Sequence, residues 1–371
     1  MDLHAAVVPL RLRYPFGLSR GTASELPTLL VRLGDVGVGE AAPVRYLGQT
    51  APAAAPLAAA IARGLDPAAL AEPGALVAAG AAARRLAPDH SAARAAVDIA
   101  LWDALARRRG LALRDLLADP SVAAEAGLGG HVLGDTRGAA VTSYTIALDE
   151  LPAMAARAAE AAHLPVLKVK LGRGREFDRA ALDAVAAAAP RARLRVDANG
   201  GWTADDLRAI LPRLVDLGVE HLEQPLPAGR RDALAALARE VPIPIYADED
   251  VQGPADIEAL AGAVAGVNVK LMKCGGISPA LATIAAARRA GLRVLLGCMI
   301  ESRVGLAAAA ALAGLADEAD LDAHLLTTGD PIPPGSQAAL TAELPALPGP
   351  GLGVPLAAVP PGGGPAAPRV A

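Results

Sequence analysis

From Thr142 onward the sequence repeats one rhythm, a short β-rich run followed by a helical stretch, about 25 residues per cycle. The runs are Thr142–Ile146, Val166–Lys170, Arg193–Asp197, Val219–Glu223, Ile243–Asp248, Val267–Lys270, Leu292–Gly297 and Asp320–Leu325. Such alternation builds parallel βαβ units, because a parallel return needs a long crossover. Eight runs with seven helices between them point to a closed α/β barrel. The pattern lacks an eighth helix, since Pro331, Pro333 and Pro334 follow the last run. The competing fold, a doubly wound open sheet, usually carries a glycine-rich turn after its first strand. Here that turn is Ala147-Leu148-Asp149-Glu150, without glycine.

The part before the repeat reads differently. Leu29–Leu33 forms a strand, Gly34-Asp35 a hairpin turn, and Val36–Glu40 the returning strand. Ala53–Leu117 is helical in pattern. Its clearest piece is Ala92–Arg109, with Val97, Ala100, Leu101 and Leu105 on one face and Gly110 as a stop. Hydrophobic residues make up 53% of the chain but aromatics only 2%, so the apolar mass is mostly Ala, Leu and Val, which favours helix. We therefore expect an α+β domain over residues 1–125, the barrel over 140–329, a C-terminal segment over 330–359 and a disordered Pro/Gly/Ala-rich tail over 360–371.

A net charge of -4 offers no basic surplus for nucleic acid. Cys274 and Cys298 alone cannot build a disulfide framework. Met1–Arg20 lacks the pattern of a signal peptide, and the apolar run Val304–Ala316 is too short to span a bilayer. The expectation is a soluble cytoplasmic protein with no membrane or nucleic-acid partner.

In a parallel barrel, residues at the C-terminal strand ends converge on one site. In order these are Lys168 and Lys170, Asp197, Glu223, Asp248, Lys273 and Glu301. Asp197, Glu223 and Asp248 fall one βα unit apart. Any single one reads more readily as a helix cap, but three in register would repel one another unless a hard divalent cation joins them, and Mg²⁺ suits carboxylates. Lys168 and Lys170 are two apart and face the same way, where each ammonium would depress the other's pKa, as a general base requires. The alternative is two solvated charges on the barrel rim. Lys273 stands at the end of the sixth strand, before Cys274-Gly275-Gly276 and opposite the second, so Lys170 and Lys273 would approach a substrate from opposite sides.

Several motifs then resemble the enolase superfamily, muconate lactonizing enzyme subgroup. They are Lys168-Val169-Lys170, Val196-Asp197-Ala198-Asn199-Gly200-Gly201-Trp202, Glu223-Gln224-Pro225, Ala247-Asp248-Glu249 and Lys270-Leu271-Met272-Lys273-Cys274-Gly275-Gly276, with Gly39-Glu40 and Ala100-Leu101-Trp102-Asp103 earlier in the chain. The resemblance implies a (β/α)7β barrel under a capping domain built from the N-terminal part and the C-terminal segment. It implies one Mg²⁺ per subunit on Asp197, Glu223 and Asp248, and Lys170 with Lys273 as acid/base pair. The chemistry is removal of a carboxylate's α-proton, through a metal-stabilised enediolate.

Within this group Asp320-Leu321-Asp322 resembles the Asp-x-Asp of dipeptide epimerases, which holds a free α-ammonium; the plainer reading is a chain cap before Thr327. Gly297-Cys298-Met299-Ile300-Glu301-Ser302 and Ser19-Arg20-Gly21-Thr22 look like the same enzymes. The expected substrate-binding set is therefore Asp320, Asp322, Lys168, Arg20, Met299 and Glu301. Arg20, unless simply solvated, would pair with a side-chain carboxylate and favour L-Ala-D/L-Glu, with a hydrophobic dipeptide as second choice. A homo-oligomer is expected. Asp250, Val38 and His324 depart from the family pattern, His324 beside the expected pocket. The alternatives are an N-acylamino acid racemase, an o-succinylbenzoate synthase or a muconate-type cycloisomerase. A catalytically idle relative should have lost a ligand or a lysine, and an acid-sugar dehydratase would more often place His near the seventh strand.

Overall fold

Eight parallel strands lie side by side in strict chain order: β4 (Tyr144–Ile146), β5 (Val166–Lys170), β6 (Arg193–Asp197), β7 (Leu222–Glu223), β8 (Ile245–Ala247), β9 (Gly266–Lys270), β10 (Arg293–Gly297) and β11 (Glu318–Asp320). In this computed structural model, which describes residues 1–19, 21–66, 71–125, 141–332, 343 and 347–359, the sheet closes on itself. Thr142 bridges Ala319 in parallel, and the Ser143 N–H donates to the Ala319 carbonyl at 3.2 Å. The crossovers are α6 (Leu151–Glu160), α7 (Arg175–Ala188), α8 (Ala204–Asp216), α9 (Arg231–Glu240), α10 (Pro254–Leu260), α12 (Ile277–Arg289) and α13 (Arg303–Ala310). Their buried faces are Leu- and Ala-rich, as in Leu207, Ile210 and Leu214 of α8.

The eighth strand corrects the expectation of Asp320–Leu325. Register with β10 ends at Gly297 opposite Asp320. Beyond it the chain turns into the one-turn α14 (Ala323–Leu326), with the Leu325 N–H donating to the Asp322 carbonyl at 2.8 Å. A short apolar run cannot distinguish a buried strand from a buried helical turn.

Before the barrel, β1 (Leu3–Leu18), β2 (Gly21–Leu33) and β3 (Gly37–Ala41) form an antiparallel sheet. It is followed by α1 (Ala51–Arg63), α2 (Pro73–Leu86), α3 (Ser91–Arg108), α4 (Leu113–Leu117) and α5 (Pro120–Glu125). The α3 helix packs on β3 and also reaches the barrel. Trp102 is fully buried and donates to Ser278 Oγ at 2.8 Å, and Asp98 accepts from the Ser278 N–H at 3.0 Å. Gly276, at φ 121°, is needed there: a Cβ would lie 2.4 Å from the Asp98 carboxylate. The described end of the chain joins this layer as well. Leu352 N–H donates to Asp103, and Leu113 N–H to the Gly351 carbonyl. The expected tail, 360–371, lies outside the described residues. No helix among them is long and apolar enough to cross a membrane.

Candidate active site

The parity of the barrel strands decides which side chains meet. On β5, Lys168 and Lys170 both point inward, as do Asn268 and Lys270 on β9. Asp197 and Glu223 end β6 and β7, and Asp248 follows β8 directly. All three carboxylates are at least 99% buried, and one oxygen from each lies within 4.8 Å of the others.

Cations surround this triad. Lys168 Nζ stands 3.2 Å from Asp197, 2.8 Å from Glu223 and 2.6 Å from Asp320. Lys170 Nζ is 2.5 Å from Asp197, and Lys270 Nζ is 3.0 Å from Asp248. Asn199 N–H donates to Asp197 at 2.8 Å, and Asn268 Nδ2 to Glu223 at 2.8 Å. Asp250 fits the same framework despite its departure from the family pattern. It accepts from Gln224 Nε2 at 2.7 Å, while Gln224 Oε1 accepts the Asp248 N–H at 2.8 Å.

Electrostatics differ across the group. Burial works to raise Asp197, but Lys170 and Lys168 outweigh it and hold the carboxylate below its usual range. Burial likewise opposes Lys270 and Lys273 at Asp248, and the lysines win. Glu223 is the exception. Burial, then Asp197, pushes it up to about 8, and its Oε2 has no hydrogen bond in spite of the nearby Lys168. Three converging, buried carboxylate oxygens, close enough to repel one another, fit a hard divalent cation.

Two expectations about the lysines are corrected here. Lys168 is not depressed by its neighbour: burial works to lower it, yet Asp320, Glu223 and Asp197 hold it well above an ordinary lysine. Lys273 does not line the cavity. The β9 strand ends at Lys270, and the chain turns at once into α11 (Leu271–Cys274). Lys273, with no exposed surface, donates to the carboxylate and carbonyl of Asp248 and, at 3.0 Å, to the Asn268 carbonyl. Lys270 takes the place opposite Lys170 and lines the cavity. The signal was present in the sequence: Lys270 continues the inward alternation from Asn268, and Lys273 breaks it.

The cavity has a volume of about 440 Å³ and opens above the C-terminal strand ends, below residues of β1, β2 and the Pro43–Ala51 stretch. Lys168, Lys170, Asp248, Lys270, Met299, Asp320 and Asp322 all line it. Asp320 accepts from Ser143 Oγ at 2.5 Å and from Lys168; burial opposes but Lys168 holds it at about 2. Asp322 accepts from the Thr145 N–H at 2.6 Å and is pushed up to about 7 by burial and by Asp320. Glu301 corrects another expectation. It is 1% exposed, lies outside the cavity lining and accepts the Met299 N–H at 2.8 Å. His324 is likewise buried away from the cavity, where burial, then Arg303, pushes it down to about 4. Arg20 lies outside the described residues. Leu18, Leu26 and Tyr46 line the cavity from the layer above, and strand-end reasoning confined to the barrel could not find them.

Comparison with known proteins fits this geometry. Residues 2–118 match the mandelate racemase / muconate lactonizing enzyme N-terminal domain, and residues 150–358 match the enolase C-terminal domain-like family. The chain belongs to the enolase superfamily. Among superfamily relatives, an L-Ala-D/L-amino acid epimerase of Pedosphaera parvula is 36% identical over 84% of each chain. A hydrophobic dipeptide epimerase of Roseobacter litoralis is 41% identical over 64% of this chain and 67% of its own. A dipeptide epimerase of Enterococcus faecalis, solved with Mg and L-Leu-L-Tyr, superposes with a TM-score of 0.84 at 29% identity, over 95% of this chain and 98% of that one.

Proposed function

We propose that this enzyme epimerises dipeptides with Mg²⁺, by 1,1-proton transfer between Lys170 and Lys270. One observation carries the reading: two lysines on opposite barrel strands flank the cavity, with an acid triad between them and the Asp320/Asp322 pair at one side. Asp197, Glu223 and Asp248 would hold the cation. When bound, it supplies Lewis-acid stabilisation of negative charge on the substrate carboxylate. The protein's own residues do the rest. One lysine, as a neutral amine, takes the α-proton. The opposite lysine, as an ammonium, returns a proton to the other face, and the configuration inverts. Lys168 compensates the buried acids and ties the triad to Asp320.

Asp320 and Asp322 would receive the dipeptide's free ammonium. An N-acylamino acid has no cation to offset these two desolvated carboxylates, which disfavours the racemase alternative. The Enterococcus faecalis complex with Mg and L-Leu-L-Tyr, and the epimerases named above, support the same substrate class. For the side chain on the epimerised residue, Phe16, Leu18, Leu26, Tyr46, Met299 and Ile300 supply most of the wall, with Glu25, Arg45 and Gln49 as the polar groups beside them. We therefore favour an apolar side chain there, with glutamate as second choice. The two free thiols, Cys274 and Cys298, accord with the reducing cytoplasm.

Steady-state assay of L-Ala-L-X dipeptides against N-acetyl and N-succinyl amino acids tests the reading. The dipeptides should turn over and the N-acyl compounds should not. Apolar X should exceed L-Ala-L-Glu about ten-fold in kcat/KM. Faster turnover of any N-acyl substrate than of every dipeptide would replace the proposal with a racemase.

A further inference from the structure

Glu301 and Glu40 form a buried acid pair that the chemistry above does not use. Glu40 has no exposed surface, and both of its oxygens accept hydrogen bonds. Oε1 accepts from Thr28 Oγ1 at 2.7 Å and from the Ser302 N–H at 2.9 Å; Oε2 accepts from Ser302 Oγ at 2.6 Å and from the Gly305 N–H at 2.8 Å. Four donors favour an ionised carboxylate, against burial, which comes first and leaves Glu40 raised above an ordinary glutamate. Glu301 has a single donor, the Met299 N–H on Oε1, while its Oε2 is buried without a partner. Gly305 makes room for the two acids. A Cβ there would lie 2.3 Å from Glu301 Oε2, 3.0 Å from Glu40 Oε2 and 3.2 Å from Met272 Cε. The two oxygens thus share one small space walled by a thioether.

An ionised Glu301 would face an ionised Glu40 there with no donor for its free oxygen, a costly arrangement. A protonated Glu301 has one O–H to give, and Glu40 is the acceptor beside it. We propose that Glu301 is a positioning residue: as a neutral acid bonded to Glu40, it pins the Cys298–Ile300 wall of the cavity to β3. The link runs from Thr28 and Glu40 in the layer above the barrel, through Glu301, to the backbone of Met299. Burial, then Glu40, pushes Glu301 up to about 8, in accord with this state. The other titratable groups facing it are Lys270 at the end of β9, which works the opposite way, and the Cys298 thiol, itself pushed up by burial and then by Glu301.

The kinetic arm of the test rests on the proposed dipeptide reaction; the stability arm needs no substrate. An acid whose folded pKa is raised costs the folded state progressively as pH rises from its unfolded value to its folded one. Glu301→Gln keeps the shape, accepts from Met299 and donates to Glu40 without titrating. Its melting temperature should therefore gain on that of the native chain between pH 5 and 8, by about 3 °C or more. A gap constant across that range would overturn the proposal. In the Mg-loaded enzyme with L-Ala-L-Leu, the native KM should rise above pH 8 while that of Glu301→Gln stays flat. Glu301→Ala should raise KM about five-fold at pH 7 without changing Mg²⁺ affinity, and Glu301→Gln should stay within about two-fold of native. If Glu301→Gln raised KM as much as Glu301→Ala, the acid would be acting on substrate and not on Glu40. Should Glu301→Ala not fold, the two pH profiles of Glu301→Gln decide alone.

Discussion

Lys273 donates to both the carboxylate and the main-chain carbonyl of Asp248, and its third proton goes to the Asn268 carbonyl. An ammonium so engaged orients a candidate metal ligand, and outer partners of this kind commonly matter about 10–100-fold for metal affinity. Lys273→Met should therefore weaken Mg²⁺ binding at least about ten-fold in a calorimetric titration, while Lys270 keeps its place on the cavity wall. Unchanged affinity would refute that role. Asp322, pushed up to about 7, makes a second prediction at this scale. Below that pH it is neutral and attracts an ammonium poorly; above it the carboxylate is present. For a dipeptide, KM should fall as pH rises from 6 to 8, and Asp322→Asn should flatten that change while raising KM throughout. A native KM independent of pH over this range would count against Asp322 as the ammonium partner.

At the scale of elements, α3 joins the N-terminal layer to the barrel. Trp102 is fully buried against α12 and loses both packing and a hydrogen bond if truncated. Trp102→Ala should cost about 3–5 kcal/mol in a denaturant titration. Much of this level was legible beforehand. Lys168 and Lys170 sit on the predicted second strand, and Val166–Lys170 and Arg193–Asp197 match their strands end to end, because alternation and β-branched content agree there. What escaped has physical causes. The sixth run ends at Lys270 as β9 does, but the choice of lysine was misjudged because Lys270-Leu271-Met272-Lys273 offers two, and only the turn into α11 shows which one leaves the barrel interior. The eighth strand was misplaced because an apolar run disguises α14. The long β1 was missed because its exposed, half-polar face resembles irregular chain.

For the whole molecule, the barrel's two ends differ in kind. At the N-terminal end Glu318 is held by Arg195 at 3.0 Å, Arg293 at 3.1 Å and Tyr246 at 2.8 Å, a paired and closed network. At the other end the charges surround a cavity, and burial, then Asp197, outweighs Lys168 at Glu223 and pushes it up. Buried ion pairs are weak evidence for stability, so this asymmetry is better understood as a division between plug and site. The central claim is that Lys170 and Lys270 work on opposite faces of one α-carbon. Mass spectrometry of deuterium uptake from D₂O, run on both epimers of L-Ala-Leu with Mg²⁺, tests it directly. The native enzyme should label both epimers. Lys170→Met and Lys270→Met should each lose epimerisation, and each should leave exchange in one epimer only, the two variants sparing opposite ones. Exchange of both epimers by Lys270→Met would contradict the account.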